Sequence, residues 1–71
     1  MATREKITNS VEKYRKKAGI TQEELGNAVD VTRQTIISIE KGNYVPSVLL
    51  ALKISLYFKV PLEKVFHYEN Q

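Results

Sequence analysis

The chain has no cysteine and no tryptophan, and only one histidine, one methionine, two prolines and three glycines in 71 residues. Without cysteine there is neither a disulfide framework nor a thiolate metal site, and an intracellular, cytoplasmic setting is the simpler expectation. A lone histidine, His67, with no evident partner offers no catalytic constellation and reads as a surface residue. The eight acidic residues show no metal-ligand spacing, and there is no glycine-rich phosphate loop. No enzyme, cofactor, metal site or small-molecule ligand is therefore expected. Long apolar runs are also missing. The most apolar stretch, from Val45 to Val60, is broken by Pro46, Lys53 and Lys59 and is too short to span a bilayer. Met1 to Lys6 leads into no apolar segment, so neither a secretory signal nor a membrane role is expected.

What remains is one small domain with 42% hydrophobic residues and a formal net charge of +3. A domain of this size is marginal on its own and relies on efficient helix packing or on oligomerisation. The mild positive charge permits a polyanionic partner without demanding one.

Helical spacing and capping signals predict five helices and no strand, an all-α bundle with short connections. The first runs from about Thr8 to Ala18, with Val11, Tyr14 and Ala18 on one side and Gly19 as a left-handed stop. Thr21 and Glu24 form a capping box for the second, whose inner face is Leu25, Ala28 and Val29. A turn near Asp30 and Val31 leads to a third helix, capped by Thr32, with Ile36 and Ile39 inside and Gly42 after Lys41 at its end. Ser47 caps a fourth helix reaching about Phe58. Pro61 opens a short fifth ending near Phe66. The expected organisation is a flexible segment over residues 1–7, the folded domain over 8–68 and a tail over 69–71.

The stretch from Thr21 to Ile36 thus reads as two short helices joined by a tight turn. At Gly26 the two must approach closely, so a small residue is needed. Asp30 takes a turn position that favours left-handed backbone. On the third helix Gln34, Ser38 and Lys41 lie opposite Ile36 and Ile39, with Ile37 at the edge and Arg33 in the first turn. Arginine can bond guanine O6 and N7, and glutamine can bond adenine N6 and N7. Arg33, Gln34, Ser38 and Ile37 are the candidate base-contacting residues. Three roles stay open for the first two: base reading by both, a phosphate contact by Arg33 with Gln34 reading bases, or plain solvation. Ile37 can touch a thymine methyl or pack against a neighbouring helix.

Four blocks, Gly19 to Leu25, Val31 to Ile36, Ile39 to Gly42 and Pro46-Ser47, together resemble the phage-repressor and Cro type of helix-turn-helix, often called XRE-like. The likeness covers about Val11 to Phe66. It implies a lambda-repressor-like fold, sequence-specific binding of double-stranded DNA, regulation of transcription, most simply as a repressor, and homodimers on palindromic operators. By the same resemblance Thr21, Gln22, Thr32, Lys41, Asn43 and Tyr44 are the candidate phosphate contacts, with Tyr44 equally open as a core plug. Arg15 and Glu40 would form a structural ion pair. The chain departs from the family at five positions: the family usually has alanine at the position of Gly26, glycine at that of Asp30, a small polar residue at that of Ile37, and polar residues at those of Leu49 and Leu56.

The fourth helix is apolar nearly all round. Leu50, Ala51, Ile54 and Phe58 suit the core. Leu49, Leu52 and Leu56 form a second stripe, expected with Phe66 and Tyr68 to make a homodimer interface unless the first and fifth helices cover it. The competing function class is a protein-interaction or antitoxin-like module on the same fold, with DNA binding secondary.

Overall fold

The computed structural model describes residues 4–70. Its five helices are α1 (Val11–Ala18), α2 (Gln22–Ala28), α3 (Arg33–Glu40), α4 (Val48–Phe58) and α5 (Leu62–Val65). Two strands flank them, β1 (Glu5–Asn9) and β2 (Phe66–Asn70). They pair antiparallel, with Glu5 opposite Asn70 and Asn9 opposite Phe66.

The fold is therefore not all-α. Thr8 and Asn9, expected to begin the first helix, end β1 instead. Residues 5–7 of the expected flexible segment and 69–70 of the expected tail are strand as well; residues 1–3 and 71 lie outside the described residues. The reason is tertiary. Ile7 and Thr8 are β-branched, and Phe66 and Tyr68 are aromatic, so each segment suits a pleated ladder. Their partners lie far along the chain: Thr8 donates its hydroxyl to Glu69, 61 positions away, at 3.0 Å.

Local signals set the helix ends. The Thr21 hydroxyl accepts from the Glu24 N–H at 3.0 Å, and the Glu24 carboxylate accepts from the Thr21 N–H at 2.8 Å. Thr32 and Ser47 cap α3 and α4 through the N–H groups of Thr35 and Leu50. Gly19, at φ 73°, stops α1 in left-handed backbone. Asp30 adopts the same region at φ 64°, and its carboxylate meets the Lys53 ammonium at 2.7 Å. Lys59 ends α4 at φ 59°, a left-handed residue the sequence did not advertise.

The core joins all five helices through Val11, Leu25, Val29, Ile36, Ile39, Leu50, Ile54 and Val65. Each such side chain contributes about 1.5–3 kcal/mol on burial. Ala18 and Ala28, assigned inward by helical spacing, are exposed. Gly26 is buried instead, and a β-carbon there would lie 2.7 Å from the Val31 carbonyl oxygen. Ser55 is buried on α4 and donates to the Ala51 carbonyl at 2.9 Å, which satisfies its hydroxyl one turn back.

Among the described residues nothing covers the outer face of α4. Val48, Leu49, Leu52 and Leu56 are 73, 70, 43 and 75% exposed, so neither α1 nor α5 shields the leucine stripe. Phe66, expected at the same interface, packs half-buried against the core. Tyr68 is exposed and donates its hydroxyl to the Glu5 carboxylate at 3.0 Å. No helix among the described residues is long and apolar enough to cross a membrane.

Candidate nucleic-acid interface

The site begins with two helices brought together at a glycine. The Gly26 carbonyl accepts from the Val31 N–H at 2.9 Å, which closes the turn between α2 and α3. Left-handed Asp30 makes that geometry possible, and the glycine removes the side chain that would obstruct it. The turn sets how α3 lies across α2.

A buried ion pair then fixes the far end of α3. Arg15 Nε donates to Glu40 Oε2 at 2.6 Å, and Arg15 Nη2 donates to Glu40 Oε1 at 3.1 Å. Their side chains are 11 and 5% exposed. Two further bonds support the pair: Arg15 Nη1 donates to the Ile20 carbonyl, and Gln22 Nε2 donates to Glu40 Oε1. The Glu40 hydrogen bond raises the Arg15 pKa above its ordinary value, against the opposing effect of burial. Among the described residues no buried side-chain nitrogen or oxygen lacks a partner. A charge this deep is tolerable only when paired and hydrogen-bonded.

With Ile36 and Ile39 buried, α3 turns its other side outward. Arg33 and Gln34 are exposed, while Ile37 and Ser38 are half-buried. The structure separates these residues into two groups. Arg33 shares a shallow cleft of about 560 Å³ with Arg15, Gly19, Ile20, Thr21, Gln22 and Glu23, at the start of α2. Gln34 and Ser38 line a different depression with Thr32, Thr35, Asn43 and Tyr44. Thr35 was not singled out from the sequence. It lies one turn before Ser38, and its polar type was the available signal.

The candidate phosphate contacts surround these two hollows. The capping box occupies the N–H groups of Thr21 and Glu24, whereas those of Gln22 and Glu23, in the first turn, have no acceptor within the helix. The Gln22 side-chain amide spends one of its two N–H donors on Glu40. Thr32 Oγ1 serves the cap of α3 and lies 3.2 Å from Thr35 Oγ1. Lys41 and Asn43 are exposed beyond α3, and the Asn43 N–H donates to the Ser38 carbonyl at 2.9 Å, tying the loop to the helix. Tyr44 is 45% exposed and is not a core plug. Lys6 of β1 borders a third cleft with Lys41, a cation near the site that local sequence could not reveal. His67 lies apart from both α3 hollows; it is half-buried, with Nε2 2.9 Å from the Ser10 hydroxyl.

Comparison with known proteins agrees with this geometry. A family profile described as helix-turn-helix matches residues 11–65. An uncharacterized HTH-type transcriptional regulator of Bacillus subtilis is 52% identical over 65 residues, covering 92% of this chain and 98% of its own. One from Methanocaldococcus jannaschii is 48% identical over 64 residues, covering 90% and 97%. Another, from Archaeoglobus fulgidus, is 43% identical over 61 residues, covering 86% and 87%.

Proposed function

The chain belongs to the helix-turn-helix family and is a DNA-binding transcriptional regulator; on that premise we propose that it binds as a homodimer, with α3 in the major groove of an inverted repeat. The observation that carries the reading is the outward side of α3. It presents Gln34 and Ser38 beside Thr35, Asn43 and Tyr44, while Arg15 and Glu40 hold the helix from behind.

In this reading Gln34 and Ser38 meet base edges and Ile37 lies at the rim, against a thymine methyl where one is present. Arg33 faces the cleft at the start of α2, which favours a phosphate role for it and leaves Gln34 as the principal base reader. The N–H groups at the start of α2, together with Thr21, Thr32, Lys41, Asn43 and Tyr44, grip phosphates on either side. Binding then falls steeply with salt, because each neutralised phosphate releases counterions.

The dimer proposal rests on α4. At about 100° per residue, Val48, Leu52, Leu56 and Leu49 fill one outward arc without a charge between them. An apolar patch of this kind marks a contact surface, and a second copy can cover it about a two-fold axis. An apolar groove lined by Ile7, Val45, Pro46, Val48, Ala51, Leu62 and Phe66 adjoins it at Val48 and extends the surface toward β2 and Tyr68. Two-fold symmetry sets two α3 helices on successive turns of DNA, about 34 Å apart. Occupying such a site blocks it to other proteins, so repression is the simplest outcome.

Amide chemical shifts of ¹⁵N-labelled protein, followed while double-stranded DNA is added at low salt, test the proposed surface. The expected changes cluster on residues 21–23, 32–38 and 41–44. Changes confined to α4, or none at all, would favour the protein-interaction reading.

A further inference from the structure

Asn9 is the last residue of β1, and its side-chain amide holds two helices at once. Its Oδ1 accepts from the Val11 N–H at 3.1 Å, serving a donor at the start of α1 that has no acceptor within the helix. Its Nδ2 donates to the Ile39 carbonyl at 2.8 Å, in the last turn of α3. That carbonyl also accepts from the Gly42 N–H at 2.9 Å. The next residue is anchored on the other side. The Ser10 N–H donates to the Val65 carbonyl at 2.8 Å, and the Ser10 hydroxyl lies 2.9 Å from His67 Nε2. The Asn9–Ser10 step therefore joins the start of α1, the end of α3 and the C-terminal strand.

We infer that Asn9 is a positioning residue for DNA recognition: through the Ile39 carbonyl it fixes the C-terminal end of α3, and with it Ser38, Lys41 and the loop that follows. The inference rests on α3 being the recognition helix. Glu40 anchors this end of α3 by a side chain, whereas Asn9 anchors it by main chain, so the two restraints act on different degrees of freedom. Asparagine suits the task because one planar group carries both a donor and an acceptor. Aspartate keeps the acceptor for Val11 but sets a lone pair against the Ile39 carbonyl. Base reading tolerates displacements of only about 0.5 Å in its supporting groups, whereas phosphate attraction is far less exacting.

The test compares wild type, Asn9→Asp and Asn9→Ala, each as the full chain, on the duplex that wild type selects and on a scrambled duplex of equal length. The readout is the ratio of the two affinities, which cancels the charge change in Asn9→Asp. The expected result is at least a tenfold fall in that ratio for both variants, with unchanged helical circular dichroism at the binding temperature. Amide shifts of residues 38–43 in the free protein should move as well. Wild-type ratios in folded variants, or amide shift changes confined to β1 and α1, would overturn the inference. If Asn9→Ala does not fold, Asn9→Asp, which retains the cap on α1, decides. Absence of any sequence preference in wild type would be a failure of the DNA reading itself, and the amide shifts of residues 38–43 would still judge the positioning.

Discussion

Two side chains converge on Glu40. Arg15 grips both its oxygens and Gln22 shares one of them. Replacing Arg15 by methionine leaves a buried carboxylate with an amide as its remaining partner. Breaking a buried pair in this way costs about 3–5 kcal/mol. For a domain of this size that is a fall in Tm on the order of 10–20 °C or more, measurable by thermal unfolding. Asp30 and Lys53 present the opposite case, because the Asp30 carboxylate is fully exposed. Its hydrogen bond to Lys53, and then the ammonium charge, hold its pKa below the ordinary carboxylate value. A depressed folded pKa means that the pair contributes stability above the ordinary carboxylate pKa and loses it as pH falls through the folded one. An NMR titration should show the Asp30 midpoint below the ordinary value in wild type and back near it in Lys53→Met; equal midpoints would show the pair to be unimportant. The Arg15–Glu40 pair was legible in advance through the family resemblance, which sets an arginine of the first helix against a glutamate that ends the third. The Asn9 amide was not, because its acceptor is a main-chain carbonyl 30 residues away.

Elements were readable where their signals are local. The capping box of α2, the threonine and serine caps of α3 and α4, the stop at Gly19 and the left-handed turn at Asp30 all lie within a few residues of the feature they determine. The two strands defied that kind of reading. Each is five residues long and gains its hydrogen bonds from the opposite end of the chain. Ala18 and Ala28 misled for a related reason, since small residues carry little information about which side of a helix is covered. Gly26 is the opposite, a position decided by packing against a specific backbone. Its β-carbon direction runs into the Val31 carbonyl and the Thr32 backbone. Gly26→Val should therefore cost about 1–3 kcal/mol through overpacking and loosen the turn between α2 and α3. Unfolding at wild-type temperature would show that the two helices can separate freely. Just beyond α3, Lys41→Gln should reduce the slope of log affinity against log salt by about 0.9 without altering the preferred sequence. A changed preference would assign Lys41 to base reading instead.

For the whole molecule the question is why a domain of 71 residues leaves a band of leucines in water. Val48, Leu49, Leu52 and Leu56 would be wasted, and a liability for aggregation, in a permanent monomer. Light scattering at high micromolar concentration should give a dimer for wild type and a monomer for Leu56→Glu. A wild-type monomer whose size the substitution leaves unchanged would remove the dimer from the account. The sequence disclosed this stripe through its spacing. It could not show that Phe66 is half-buried against the core while also lining the apolar groove beside the stripe, because that depends on where β2 runs. The central proposal is that two copies of α3, held at a fixed separation, read DNA sequence. Selection of bound duplexes from a random-sequence pool tests it most directly. The account predicts an inverted repeat with half-site centres about one helical turn apart, and loss of preference at a symmetric pair of positions in Gln34→Ala. Binding at low salt with no enriched sequence would contradict it.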